Sequence, residues 1–212
     1  MSTAAKPTER SPSRAVLLQA AAELMIERGS IEISLQEIAA RSGLNAALVK
    51  YYFGGKSGLM LALAEDVLGA SLEQMRGLLA MDLSVVDKLR LHIKGVVNVY
   101  FRFPFINRLI HSMLLDPDLG KRVAEKISKP LAETQRSLLQ EGIDSGVFKP
   151  INPMIFYFIV LGACEEIFFS QHVLRHAFGV DGLDEQLKRE YSDTLLDLVL
   201  NGLLANPPKA RR

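Results

Sequence analysis

The stretch ISLQEIAARSGLNAALVKYYFGGKSGLMLAL, residues 33–63, decides the fold that we expect for this chain. Ser34 is a favourable N-cap, and Glu37 three residues later completes a capping box, so a short helix is predicted after Ser34. Gly43 suits the left-handed backbone that ends a helix, and Asn45 suits the N-terminus of a second helix. The pattern therefore predicts two short helices joined by a tight turn.

The second short helix, over about residues 46–52, ends at Gly54 and Gly55. Two short helices around a glycine-containing turn form a helix-turn-helix, whose second helix can enter the major groove of DNA. Polar and aromatic side chains suit phosphates and base edges, and small alanines allow close approach. We predict phosphate contacts from Ser34, Asn45, Lys50, Tyr52 and Lys56, and contacts nearer the base edges from Gln36, Ala46, Ala47 and Tyr51. The alternative is an ordinary helix hairpin.

The motifs of this region resemble those of a known family. Gly43-Leu44-Asn45, Val49, Tyr51-Tyr52-Phe53 and Lys56-Ser57-Gly58-Leu59 closely resemble the TetR family of bacterial transcription regulators. The resemblance covers roughly residues 14–63, and beyond them it is architectural only, in length and helical content. It implies an all-α protein with a three-helix DNA-binding domain, followed by a larger helical domain that binds a small molecule and dimerises. At Lys50 the chain departs from the family, whose members often carry tyrosine there.

Composition sets the outer bounds. The chain has 212 residues, of which 49% are hydrophobic and 23% charged, as in ordinary globular proteins. The net charge of +1 neither favours nor excludes a nucleic-acid partner. The single cysteine excludes an intramolecular disulfide and a Cys-rich zinc site, and it fits a reducing cytoplasm. No signal peptide is expected, and the longest apolar run, Met154–Cys164, is too short to span a membrane.

The pattern along the chain predicts four segments. Residues 1–12 are expected to form a disordered arm, residues 13–58 the helix-turn-helix domain, residues 59–205 the effector-binding and dimerisation domain, and residues 206–212 a basic tail. A first helix is predicted from Ser13 to about Arg28, and a fourth helix from Lys56 to about Met81 is expected to join the two domains.

Two late helices predict how the chain assembles. Residues 152–176 read as one helix that is apolar on almost every side, and residues 187–204 repeat leucine at helical spacing. A helix that is apolar all round is buried all round, so one side is expected to meet its own domain and the other a partner. We predict a homodimer in which these helices pair with their symmetry mates in a four-helix interface. The alternative is an intramolecular core.

An effector site is predicted in the larger domain, and the family resemblance implies a pocket there. Its candidate residues are Phe101, Phe105, Phe158, Glu165, Glu166 and Phe169. Carboxylates inside an apolar run are costly unless they are paired or solvated, so either glutamate can bind a cation or a hydroxyl group of an effector. The alternatives are a pair with an arginine such as Arg102 or Arg108, or a place at the dimer rim.

No cofactor, metal site or catalytic set is predicted. His172 and His176 have a spacing that can bind a metal, but a site needs at least one more ligand. Cys164 lies within an apolar helix, which is a poor place to activate a thiolate. We therefore expect no enzyme, but a repressor that a small, apolar effector releases from a near-palindromic operator. The alternatives are a helical small-molecule-binding protein or enzyme using Glu165 or Glu166, and an interaction protein with a vestigial helix-turn-helix.

Overall fold

The computed structural model describes residues 11–206, in which helices joined by turns and loops are the regular structure apart from one isolated bridge between Phe148 and Leu204. The predicted arm and tail therefore lie almost entirely outside the described residues. The helices are α1 Pro12–Arg28, α2 Leu35–Ser42, α3 Ala47–Phe53, α4 Lys56–Leu79, α5 Val85–Arg102, α6 Phe105–Leu114, α7 Pro117–Val123, a π-helical segment Ala124–Ser128, α8 Lys129–Asp144, α9 Pro153–Phe169, α10 Gln171–Phe178 and α11 Glu185–Leu203.

The helix-turn-helix forms as its sequence predicts. The Ser34 hydroxyl accepts from the backbone N–H of Glu37, and the Glu37 carboxylate accepts from the backbone N–H of Ser34, at 3.2 and 2.7 Å. Gly43 ends α2 in the left-handed conformation, with φ of 68°. The side-chain oxygen of Asn45 then accepts from the N–H of Ala47 at 2.8 Å. These contacts satisfy backbone groups that helix ends leave unpaired, and they set the turn between α2 and α3.

The first three helices bury one apolar cluster against the start of α4. Its fully or nearly fully buried members come from all four helices: Leu17, Ala21, Met25, Ile38, Val49, Leu59 and Leu63. Helix α4 runs through the predicted domain border at residues 58 and 59 without a break. The same helix therefore belongs to the core under the helix-turn-helix and to the larger domain.

The larger domain packs α5 centrally against α4, α8, α9 and α11. Its buried side recurs at helical spacing with Leu89, Ile93, Val96 and Val97. Ser84 caps α5 by accepting from the N–H of Asp87, and Asp116 caps α7 by accepting from the next two N–H groups. Serine and aspartate are favoured N-cap residues, and from the sequence both positions predict helix starts.

The prediction of one helix over residues 152–176 is wrong. Helix α9 ends at Phe169 and α10 begins at Gln171, with a bend of 67° between them. Ser170 takes a non-helical backbone with ψ of 41°, and its hydroxyl donates to the Glu166 carboxylate. The backbone N–H of Ser170 still donates to the carbonyl of Glu166 at 2.9 Å, so α9 keeps its last backbone hydrogen bond and the chain turns after it. Within residues 11–206 no single helix is long and apolar enough to span a membrane, and this bent pair meets that test only jointly.

Two further helix starts differ from prediction. Helix α1 begins at Pro12 with Ser11 as its N-cap, in place of Ser13, because proline fits the first helical position. The hydroxyl of Ser11 is used by Tyr52, not by the helix. In the sequence Pro130 predicts a kink or a division of the helix around it, and the division is a π-helical turn that ends at Ser128. Proline lacks an N–H, so it is accommodated in the first turn of α8.

Candidate functional site

The outer face of α3 carries the side chains of a DNA-reading surface. Ala47, Lys50 and Tyr51 are exposed and recur three to four residues apart, so they share one side of the helix. Tyr51 is 55% exposed, so its ring and hydroxyl are accessible to a partner. Val49 points the opposite way and is completely buried. The helix is therefore fixed by its inner side and free on its outer side.

Two contacts hold the C-terminal end of α3. The Tyr52 hydroxyl lies 3.0 Å from the Ser11 hydroxyl at the start of α1, and the Arg14 guanidinium lies 5.2 Å from the centre of the Phe53 ring. On the other side Gly58 of α4 packs directly against the backbone carbonyl of Phe53, where a Cβ would come within 1.8 Å. Helices α1 and α4 therefore set the position of α3, and Tyr52 is half-buried because it takes part in this packing.

The remaining predicted DNA contacts surround this face. Gln36 is exposed in the first turn of α2, and Lys56 is exposed at the first position of α4. Ser34 and Asn45 are both engaged as caps, and Ala46 is half-buried in the turn. Exposure alone does not test whether any of these side chains contacts DNA, so each predicted contact stays a prediction. They show that Gln36, Ala47, Lys50, Tyr51 and Lys56 are accessible and that Tyr52, Ser34 and Asn45 also have structural roles.

The acidic side chains near α2 are neutralised by ion pairs. Glu37 lies 2.6 Å from Arg28, and Arg41 donates to Glu27 at 2.8 Å. The hydrogen bonds from the backbone N–H and the hydroxyl of Ser34, followed by that from Arg28, lower the pKa of Glu37 to about 2. Within residues 11–206 neither Lys50 nor Lys56 lies within ion-pair distance of a carboxylate. Both lysines are therefore available to a phosphate backbone.

The six candidate effector residues do not line one enclosed cavity. Phe105 is 3% exposed in the core, whereas Phe158 is 66% exposed on the outside of α9. Glu166 and Phe169 are also exposed, and Phe101 is half-buried beside Phe168. All six lie on helices of the larger domain, as predicted, but the sequence does not reveal which side of each helix faces inward.

Glu165 lies at a junction of three helices. The Tyr100 hydroxyl of α5 donates to it at 3.3 Å, and Nε2 of His111 on α6 lies 3.3 Å from its other oxygen. Burial, followed by the Glu165 charge, raises the pKa of Tyr100. Neither arginine considered from the sequence pairs with Glu165. Arg108 donates to the carbonyl of Gly29 at 2.6 Å, and Arg102 lies over the Phe103 ring.

Sequence reasoning missed three buried polar side chains in the larger domain. His92 and Gln135 are each 1% exposed and meet across α5 and α8, and Asn107 on α6 is also 1% exposed. A signal for His92 was present, because it lies at helical spacing with Leu89, Ile93 and Val96 on the apolar side of α5. A histidine at such a position is expected to be buried.

His172, His176 and Cys164 are the residues that the sequence offered for metal binding or catalysis. The rings of His172 and His176 stack 6.2 Å apart on exposed positions of α10, and no group of three or more potential metal ligands occurs within residues 11–206. Cys164 is completely buried, and burial, followed by the Glu165 charge, raises the pKa of its thiol to about 12. A thiol with so high a pKa is a poor nucleophile near neutral pH.

A continuous apolar face on α9 is exposed. Met154, Ile155, Phe158 and Ile159 recur at helical spacing, and each is at least 49% exposed. Helix α11 adds Leu198, which is 71% exposed. In a single chain one side of α9 is therefore buried and the other exposed, and exposed apolar surface of this kind marks an interaction site. That a partner covers the exposed side stays a prediction.

The sequence matches two models of protein families. Residues 17–63 match the model described as bacterial regulatory proteins, tetR family, and residues 82–209 match the tetracyclin repressor-like C-terminal domain. The second match alone covers more than half of the chain.

Similar proteins agree with these matches. The chain is 24% identical to the HTH-type transcriptional repressor NicS of Pseudomonas putida over 206 residues, which cover 95% of this chain and 97% of NicS. A transcriptional regulator of the TetR/AcrR family from Thermobifida fusca has a similar fold, with a TM-score of 0.71 at 21% identity over 91% of this chain and 98% of that one. The regulator FadR from Bacillus subtilis, solved in complex with stearoyl-CoA, also gives a TM-score of 0.71, at 19% identity over 89% of this chain and 98% of FadR.

Proposed function

The chain belongs to the TetR family of bacterial regulatory proteins, and we propose that it is a homodimeric repressor whose α3 helices read a near-palindromic operator. The observation that supports this most directly is the exposed face of Ala47, Lys50 and Tyr51 on a helix whose opposite side is buried. Such a helix can enter the major groove, with its cap and the start of α4 on the phosphates.

On DNA we assign the residues to two groups. Lys50 and Lys56 bind phosphates, together with Ser34 and Asn45 at the helix starts, and Tyr52 contacts the backbone from the edge of the surface. Gln36, Ala46, Ala47 and Tyr51 lie toward the base edges. The assignment is supported by the exposure of the two lysines and by the absence of carboxylate partners for them within the described residues. Base contacts by Ala47 would be apolar, as with a thymine methyl group.

The dimer is proposed to form through α9 and α11. Phe158 and Leu198 would be buried against a second copy of the chain, which explains why side chains of this size are exposed in one chain. Phe158→Glu is expected to give a monomer in light scattering. Leu115→Glu is the matched control, because Leu115 is 88% exposed in the α6–α7 turn, outside this face. A dimeric Phe158→Glu variant, or a monomeric Leu115→Glu variant, would place the interface elsewhere.

We propose that a small, largely apolar effector binds in the domain of residues 59–205 and favours a dimer whose α3 helices no longer match the groove spacing. This requires that the effector binds the two states with different affinity. In this role the protein catalyses no reaction and acts in the cytoplasm, where its DNA is. The two-domain division itself is part of the proposal, because α4 is continuous across its border.

Selection from a random pool of duplex DNA tests the proposed function. The enriched sequence is expected to be a near-palindrome whose half-sites lie one helical turn, about 34–36 Å, or a multiple of it apart. Tyr51→Ala is expected to relax preference at one or two positions in each half-site, because Tyr51 lies on the exposed face. An unenriched pool, or unchanged preference in Tyr51→Ala, would contradict the proposal. Lys121→Ala, on α7, is the control that leaves preference unchanged.

A further inference from the structure

A buried polar pair joins α5 to α8 in the interior of the larger domain. Nε2 of His92 lies 2.9 Å from Nε2 of Gln135, and each side chain is only 1% exposed. Nδ1 of His92 and Oε1 of Gln135 have no hydrogen-bond partner among the described residues. Buried polar atoms are almost always hydrogen-bonded, so two orphaned atoms on one pair of side chains point to a missing partner.

The chemistry of the pair defines that partner. If the Gln135 amide donates to Nε2 of His92, the ring proton is on Nδ1, so an N–H donor and an amide oxygen acceptor remain free. If the amide is turned round, Nε2–H donates to the oxygen, and Nδ1 as acceptor and the amide N–H₂ as donor remain free. Burial lowers the pKa of His92 to about 4, so the ring is neutral near neutral pH. In both arrangements one donor and one acceptor are available.

The partner is uncharged. The charged residues within two positions of His92 or Gln135 are exposed on the outer sides of the helices: Arg90, Lys94, Glu133 and Arg136. The buried Lys88 lies one turn before His92, and its partner Glu141 lies less than two turns after Gln135. These two neutralise each other at 2.9 Å, and Lys88 also donates to the carbonyl of Leu79. A charged ligand at the pair would therefore be buried without a counter-charge, which is strongly unfavourable.

The start of α8 is built in a way that allows it to adjust. The π-helical segment Ala124–Ser128 and Pro130 interrupt the regular hydrogen-bond ladder just before Gln135. π-helical turns occur frequently at functional sites. A surface hollow of about 230 Å³ between α4 and α8 reaches Thr134, the residue next to Gln135. Neither His92 nor Gln135 lines this hollow, and both are buried in contact between α5 and α8, so a ligand that reaches the pair must displace α8 from α5.

We propose that His92 and Gln135 form the polar contact of the effector site. The effector is an uncharged cyclic amide, or a molecule with the same adjacent N–H and C=O groups on an otherwise apolar frame. The N–H and C=O of such a ligand match the acceptor and the donor that the pair leaves free. The inference rests on the proposed function, which requires an effector in this domain.

The same geometry connects the pair to the DNA-reading helices. Lys126, in the π-helical segment, forms an ion pair with Glu65 on α4 at 2.5 Å. Helix α4 carries Gly58, whose close contact with Phe53 fixes the end of α3. A ligand that separates α8 from α5 therefore displaces the helix that positions α3.

The probe is 2-piperidone, a small cyclic amide, and the matched control is N-methyl-2-piperidone, which lacks the N–H donor. Histidine ¹⁵N resonances of the full-length protein report binding, and the His92 resonances are assigned as those absent from the spectrum of a His92→Leu variant. 2-Piperidone is expected to shift the His92 resonances saturably, and the N-methyl compound to bind about tenfold more weakly or not at all. Equal shifts by both compounds, or none at tens of millimolar, would overturn the proposal.

Two variants separate the site from the rest of the core. The double variant His92→Leu/Gln135→Met removes the orphaned atoms and keeps the side-chain volume. It is expected to be at least as heat-stable as the wild type. It is also expected to lose the protection that 2-piperidone gives against thermal unfolding. Asn107→Leu removes an equally buried amide whose two polar atoms are also unpartnered, and it is expected to keep that protection. Protection retained in the double variant, or lost only in Asn107→Leu, would place the site elsewhere.

A third readout distinguishes this inference from the proposed function. In fluorescence anisotropy with the selected operator, 2-piperidone is expected to release wild-type protein and not the double variant. If the protein binds no operator, the proposed function fails, yet the resonance shifts still test the site. If 2-piperidone shifts His92 without releasing operator, the ligand site stands and its assignment as the effector site is overturned.

Discussion

Replacing Gly58 by alanine is expected to displace the DNA-reading helix. A Cβ at Gly58 would lie 1.8 Å from the carbonyl oxygen and 2.9 Å from the carbonyl carbon of Phe53. Ordinary contacts begin at 3.4 Å, so the end of α3 must move by roughly 1.6 Å. The obstacle is backbone, which cannot rotate away as a side chain can.

Forced overpacking of this kind destabilises proteins by about 1–3 kcal/mol. For a chain of this size, a loss of about 2 kcal/mol lowers the melting temperature by roughly 4–8 °C. Operator affinity is expected to fall as well, because the displacement moves Lys50 and Tyr51 relative to the groove.

Gly69→Ala is the matched control on the same helix. Gly69 is exposed, and a Cβ there meets nothing within 4 Å. Alanine in an exposed helix interior is favoured over glycine by about 0.5–1 kcal/mol, so this variant is expected to melt at a slightly higher temperature and to bind operator normally. The measurements are thermal unfolding by far-UV circular dichroism and anisotropy with operator DNA. If the two variants behave alike, the close contact between α4 and α3 is not what positions α3.

Three further predictions concern single contacts. Glu37 has a lowered pKa of about 2, so its charge stabilises the folded state above its unfolded pKa near 4.5, and this stabilisation is lost as the pH falls toward 2. The melting temperature of Glu37→Gln is therefore expected to fall less than that of wild type between pH 5 and pH 3. Equal falls would contradict the role of the carboxylate. Arg108→Met removes the hydrogen bond to the carbonyl of Gly29, so amide hydrogen exchange in α1 is expected to accelerate, whereas exchange in α9 stays the same. If exchange in α1 does not accelerate, this contact does not tie α6 to α1. Gly142→Ala places a Cβ 1.9 Å from the Phe148 ring, and a loss of about 1–3 kcal/mol is expected in denaturant unfolding; no loss would mean that the ring can move aside.

The helix-turn-helix was predictable because its signals are local. The capping box of Ser34 and Glu37 and the left-handed Gly43 are properties of a few neighbouring residues, and the structure confirms each. The caps at Ser84 and Asp116 were predictable for the same reason.

The parts that sequence reasoning missed depend on distant residues. Serine occurs both inside helices and at their ends, so the residues around Ser170 do not distinguish a break from a continuous helix. The break also depends on the direction that α10 takes in the fold. His92 and Gln135 are 43 residues apart, and only the packing of α5 on α8 brings them together. The four phenylalanines and two glutamates predicted for the effector site were selected by residue type. Residue type does not show which side of a helix faces inward.

The dependence of operator affinity on salt concentration tests the central claim most directly. If Lys50 and Lys56 bind phosphates in both halves of a dimer, Lys50→Ala/Lys56→Ala removes four phosphate contacts, and the slope of log affinity against log salt is expected to become shallower by about 3–4. The control Lys121→Ala/Arg122→Ala removes the same charge from exposed positions of α7 and is expected to change the slope by less than about 1. An unchanged slope in the first variant, or equal changes in both, would contradict DNA recognition through α3 and the start of α4.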